Sequence, residues 1–229
     1  MTDMSTTSLL ERAIYTYADV DRLNSLTPGT GRRWLEGFER GGVFHDPVLR
    51  DEPTGADLVS WGEMVEARLL AQFRGRRVSL QRLRPAVVRL RVEFGRYPLM
   101  RMRPFLEVDG RELVLRVQAE IGLEPALQFV VVRNGRMILR TETQRFAESV
   151  DYADGVASAI RPLPSSEAVR LDPACNFGQP SIRGIRTAVL AEDYRAGESM
   201  VSLAKMHDLE PSQVEDALGF EPTAIAVAG

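Results

Sequence analysis

The chain has 229 residues, 44% of them hydrophobic, and a formal net charge of -3. That length accommodates one large domain or two small ones, and that apolar content excludes wholesale disorder. Its one cysteine, Cys175, excludes an internal disulfide framework and a multi-cysteine zinc site. No run reaches the roughly 20 apolar residues of a membrane span, and the first residues lack a secretory signal pattern, so a cytoplasmic protein with no membrane partner is expected.

Residues 15–23 read as a short helix capped by Thr16, with Asp19 at capping-box spacing. A turn follows over residues 24–27. Thr27 is then expected to cap a second helix, with Pro28 at its first position. Two short helices joined by a tight turn make a helix-turn-helix, with Thr27, Thr30, Arg32 and Arg33 turned to solvent as candidate DNA-reading residues. Residues 39–56 are turn-rich, and a short β-wing there is expected to bring His45 and Arg50 toward a duplex. Asp57 is expected to cap a longer helix from Leu58 to Phe73, stopped by Gly75.

The charge is concentrated next. Between Arg74 and Arg103 stand ten arginines and one acid, Glu93, a block of +9 between acidic flanks. A guanidinium matches phosphate oxygens, and a clustered basic patch is the footprint of a nucleic-acid binder. Leu80, Leu83, Val87, Leu90 and Phe94 follow at steps of three and four, one buried stripe. Arg82 and Arg89 lie opposite that stripe and, with Arg76 and Arg77, are the expected phosphate contacts. Pro85 places the start of the continuous helix near Arg84.

Three hairpins are expected in the middle, each around a turn dipeptide: Asp109-Gly110, with strands 104–108 and 111–117, then Asn134-Gly135 and Asp154-Gly155. Residues 161–166 read as a linker. Beyond a turn-rich stretch, residues 189–196 are helical. Ser199 caps a helix over residues 200–207, and Pro211 opens another over 212–220, a second helix-turn-helix. Its last helix carries Gln213, Glu215 and Asp216 on the exposed side, an acidic face that repels phosphates. This module is therefore expected to bind protein, through Val189, Tyr194, Leu203, Val214 and Leu218. Gln179, Arg183 and Arg186, just before it, are the exceptions that could touch DNA.

Catalytic chemistry finds no foothold. His45, His207 and Cys175 have no pairing spacing, no glycine-rich phosphate loop follows a strand, and adjacent carboxylates such as Glu192-Asp193 diverge. No catalytic residue, metal site or cofactor is expected, and the chain reads as a non-enzyme.

The order of helix-turn-helix with TPGTGRRWL, wing, long helix and Arg77-Val78-Ser79-Leu80-Gln81-Arg82-Leu83-Arg84 resembles the winged-helix domain of MerR-type regulators. The run from Phe177-Gly178 through Pro180, Gly184 and Arg186-Thr187 to Ala217-Leu218 is similar to a short domain found in many antitoxins. Together the chain resembles a VapB-type antitoxin of the large, multi-domain kind. That resemblance implies a homodimer that binds double-stranded DNA at an inverted repeat in its own operator and neutralises a PIN-domain ribonuclease toxin. Typical antitoxins of this kind end in a basic peptide, whereas residues 221–229 contain no basic residue.

The expected fold is α+β: a winged helix-turn-helix over residues 14–103, small antiparallel hairpins over 104–164, and an all-α helix-turn-helix module over 165–222. The rival readings are a stand-alone MerR-like regulator and a protein-binding adaptor whose basic stretch engages an acidic partner.

Overall fold

A computed structural model describes residues 9–74, 79–164 and 166–221. Arg76 and Arg77 lie outside these. The chain is mixed α and β with small two-stranded antiparallel pairings. Its contacts divide it into two units, one of residues up to 148 with 152–157, the other of 149–151 with 158 onward.

In the first unit, β1 (Ala13–Thr16) pairs antiparallel with β4 (Leu58–Ser60) and buries Tyr15 against Val59. Helix α1 (Tyr17–Leu23) starts at the expected Thr16 box: Thr16 Oγ1 accepts from the Asp19 amide, and the Thr16 amide donates to Asp19. Helix α2 (Thr30–Glu36) begins later than expected. Thr27 does not cap it and Pro28 is not in it. Gly29, in the left-handed region at φ 80°, is the N-cap. Asp21 of α1 accepts from the amides of Gly29 (2.6 Å) and Gly31 (2.7 Å). A buried carboxylate from the preceding helix thus satisfies the donors a local cap would have taken.

Strands β2 (Phe38–Arg40) and β3 (Val43–His45) form a short antiparallel hairpin around Gly41-Gly42, both at positive φ, at the place expected for a wing and called the wing hereafter. Gly37, also at positive φ, lets α2 run into the wing, because a Cβ there would collide with the His45 carbonyl oxygen. Helix α3 (Trp61–Gln72) is capped by Ser60 and Glu63, not Asp57, because Leu58–Ser60 is taken into the β1 pairing. In the arginine-rich segment two expectations are met: Ser79 caps, here a 3-10 turn, and α4 (Arg84–Phe94) starts near Arg84 with Pro85 in its first turn, where the missing N–H costs nothing.

The largest departure is at residues 103–120. The expected Asp109-Gly110 hairpin is two helices, α5 (Arg103–Leu106) and α6 (Val108–Glu120). Gly110, Val114, Val117 and Gln118 are buried along one helical face. Gly110 is small because a Cβ would collide with the Arg103 carbonyl oxygen, a demand of packing rather than of a turn. Phe105 joins Phe73, Phe129 and Phe146 in a buried cluster of tilted rings. The second hairpin, β5 (Val130–Arg133) with β6 (Arg136–Leu139), is present with Asn134 and Gly135 at positive φ. Helix α7 (Thr141–Ser149), which has no counterpart in the expectations, follows it. The third pairing, β7 (Val150–Ala153) with β8 (Val156–Ile160), has its tip in the first unit and its base in the second.

The second unit holds β9 (Ser181–Ile182) paired with β10 (Ile185–Arg186), then α8 (Thr187–Arg195), α9 (Met200–Met206) and α10 (Pro211–Phe220). Ser199 caps α9 and Pro211 opens α10, both as expected. Val169, Ile182, Leu190, Leu203, Leu209, Val214 and Leu218 form its core.

Candidate nucleic-acid interface

Helix α2 is the element on which the candidate residues gather. Gly31, Trp34 and Leu35 are its buried side. Arg32 and Arg33 stand on the exposed side, with Thr27 exposed just before it and Thr30 half-buried. Arg33 lies along its own helix, donating to the Gly29 carbonyl and to Thr30 Oγ1. The Arg32 guanidinium sits 5.8 Å from the Tyr17 ring centre. Neither forms an ion pair among the described residues, so both charges are available to an anion. The wing continues this surface, with exposed Arg40 and with Val43 and Phe44 more than half exposed near its tip. His45 stacks on Phe38 at the wing's base.

The end of α2 is fixed by a buried ionic cluster. Arg50, expected to face a duplex, is 8% exposed and belongs to this cluster instead. It forms a fork with Glu63 (2.6 and 3.1 Å) and pairs with Glu36 at the last turn of α2. Tyr17 and Thr54 also hydrogen-bond to it. Burial alone would raise the Glu36 carboxyl, but donors from Gly55, Tyr17 and Thr54, together with the Arg50 charge, hold it below the usual carboxylate range. Burial works against the Arg50 charge too, and Glu63 outweighs it. The cluster ties α1, α2, the 54–58 loop and α3 together, so α2 is presented from a rigid base.

The arginine-rich segment is largely neutralised from within. Of its eight described arginines, six face a carboxylate: Arg82 with Glu124, Arg84 with Asp46, Arg89 with Glu93, Arg91 with Asp51, Arg96 with Glu11 and Arg103 with Asp109. Arg84 also donates to three backbone carbonyls of residues 47–51. Arg74 and Arg101 donate to the carbonyls of Ser25 and Arg96. Arg82 is exposed and Arg89 half-buried, and their charges are shared with glutamates.

In the second unit, Arg183 pairs with Asp208, Gln179 is half-buried, and Arg186 is exposed without an ion pair among the described residues. Leu203, Val214 and Leu218, expected at a partner surface, are in the core of the module itself. Val189 is half-buried, and Tyr194 packs against the core. Leu203, Val214 and Leu218 are thus consumed by the folding of so small a module.

A protein of Mycobacterium tuberculosis, the uncharacterized protein Rv2308, is 39% identical over 226 residues, covering 95% of this chain and 94% of its own length. The chain belongs to the Rv2308 family. A second relative from the same organism, named "Putative antitoxin VapB45", is 28% identical over 222 residues, covering 90% of this chain and 92% of its own. The crystal structure of Rv2018 from M. tuberculosis superposes with a TM-score of 0.73 at 26% identity, over 91% of this chain and 99% of that one. No family model matches the chain. Among the described residues no helix is long and apolar enough to cross a membrane.

Wing residues Arg40, Val43 and Phe44 were absent from the candidates named in the sequence. The signal for them was present: Gly41-Gly42 between two three-residue stretches containing phenylalanine marks a hairpin tip.

Proposed function

We propose that this chain is a sequence-specific DNA-binding antitoxin that represses its own operon and neutralises a PIN-domain ribonuclease, acting by binding rather than catalysis. The observation that carries the DNA reading is the pair Arg32 and Arg33, unpaired and exposed on the second helix of a helix-turn-helix, beside a wing with an exposed arginine. In MerR-like winged helices the corresponding helix enters the major groove, and its arginines are suited to guanine edges. The toxin–antitoxin role is supported by the relative named as a VapB antitoxin, which aligns along nearly the whole chain. A homodimer would present two α2 helices to an inverted repeat with half-sites one or two helical turns apart.

The adaptor alternative needs a basic stretch free to meet an acidic partner. The carboxylates on Arg82, Arg84, Arg89, Arg91, Arg96 and Arg103 weaken it.

The test compares variants on the upstream DNA of the gene and on a scrambled duplex. Arg32→Ala and Arg33→Ala each lose about tenfold or more of the preference for the upstream DNA. Arg82→Ala and Arg89→Ala keep that preference. Full preference in both α2 variants would remove α2 as the reader.

A further inference from the structure

The hairpin β5–β6 leaves one long edge open. It is a two-stranded sheet, with Val130 opposite Leu139, Val131 opposite Ile138, Val132 opposite Met137 and Arg133 opposite Arg136. The Arg140 amide donates to the Phe129 carbonyl at 2.9 Å, so the pair just beyond the strands is a bonded one. Bonded and non-bonded pairs alternate in an antiparallel ladder. Ile138 and Arg136 therefore turn their backbone groups inward to β5, and Met137 and Leu139 turn theirs outward.

What lies along that edge is a groove of about 350 Å³. Leu106 and Ala147 make its opposite wall with Arg111 and Gln144. Leu106 and Ile138 are 46% and 37% exposed, large apolar side chains with no cover. An uncovered strand edge next to an apolar groove is the geometry of strand addition.

The charge around the edge selects the occupant. Arg133 and Arg136 stand opposite one another across the turn, both exposed, a like-charge pair that weakens the hairpin unless an anion sits between them. Arg111, in the groove, has a buried Nε without a partner and forms no ion pair among the described residues. Glu148, the one acid in the lining, already accepts from Gln144 at 2.8 Å. A second copy paired antiparallel about Ile138 would set Arg136 against Arg140 of the other copy, a like-charge clash that an acidic segment avoids.

We propose that the β6 edge receives an extended, acid-flanked segment of a partner protein as a third strand. Met137 and Leu139 supply its backbone hydrogen bonds, the groove takes its alternate apolar side chains, and Arg111, Arg133 and Arg136 meet its carboxylates. This does not depend on DNA binding by α2.

The test uses the full chain, 15N-labelled. The probe is a synthetic peptide of alternating valine and threonine with two acidic residues at each end, and the control has lysines in place of the acids. The acidic peptide binds at least tenfold more tightly, and it slows amide exchange at Met137 and Leu139. Met137→Pro removes an N–H the hairpin does not use, on an edge where proline is tolerated. It loses tenfold or more of the peptide affinity with the far-ultraviolet circular dichroism unchanged. Equal affinity for the two peptides, no binding of the acidic peptide at about 1 mM, or binding without protection of Met137 and Leu139 would overturn the proposal. So would protection of these amides by self-association alone, which would give the edge to a second copy.

Discussion

Glu66 is the residue whose chemistry is most at odds with its surroundings. It is fully buried in α3; the Leu99 amide reaches Oε1 at 3.0 Å and Oε2 has no partner. Burial pushes its pKa up to about 7, against the pull of Arg91 and Arg101. The folded chain thus keeps a proton that the unfolded chain releases near its ordinary pKa of about 4.3. The stabilisation tied to this group is complete below that value and is lost as pH rises through about 7. The difference is on the order of 4 kcal/mol. Glu66→Gln is expected to raise the urea midpoint more at pH 8 than at pH 5; an equal shift at both would contradict the buried-carboxyl account. Arg50 makes the opposite case, a buried charge with its partners in place. Arg50→Met leaves Glu36 and Glu63 facing each other without a cation and is expected to cost about 3–5 kcal/mol in chemical denaturation. A loss under about 1 kcal/mol would mean the cluster does not fix the base of α2.

At the scale of elements, three turn-like dipeptides had different fates. Asn134-Gly135 and Asp154-Gly155 sit in tight turns, with all four residues at positive φ. Asp109-Gly110 sits in the first turn of α6. Local chemistry does not separate them, whereas the flanking pattern does: Gly110, Val114, Val117 and Gln118 recur at helical spacing. Asp109 also found a use at a helix start, paired with Arg103 at 2.7 Å. Gly110→Ala is therefore expected to destabilise by about 1–3 kcal/mol through overpacking against the Arg103 backbone, read as a drop in thermal midpoint. A neutral outcome would return Gly110 to the role of a turn residue. Three local caps were legible, Thr16, Ser79 and Ser199, each accepting from a backbone amide of the turn it opens; the cap of α3 was misplaced to Asp57 because Leu58–Ser60 joins a strand pairing. The cap of α2 was not legible, because Asp21 lies eight residues before Gly29 and belongs to another helix. In the C-terminal module the apolar pattern was legible but its purpose was misassigned. Leu203→Ala is expected to cost about 2–5 kcal/mol of that module's stability rather than to weaken a partner contact.

At the scale of the molecule, the question is where its positive charge remains available. The concentration of arginine was plain in the sequence, but its neutralisation was not. Arg91 and Asp51 are 40 residues apart, Arg96 and Glu11 85, and only the fold brings them to 2.5 and 2.7 Å. Among the described residues, the arginines without an ion pair include Arg32, Arg33 and Arg40 on α2 and the wing, Arg133 and Arg136 at the β5–β6 tip, and scattered others such as Arg186. A large basic patch would predict steep salt dependence and little sequence preference. A few free arginines on a reading helix predict a shallower salt slope with preference retained. The most direct test is fluorescence anisotropy of the full chain on DNA from just upstream of its gene, against a scrambled duplex, at about 50 and 200 mM salt. Preference for the upstream DNA that persists at the higher salt is the predicted result. Equal binding to both duplexes, disappearing together as salt rises, would contradict sequence-specific reading by α2.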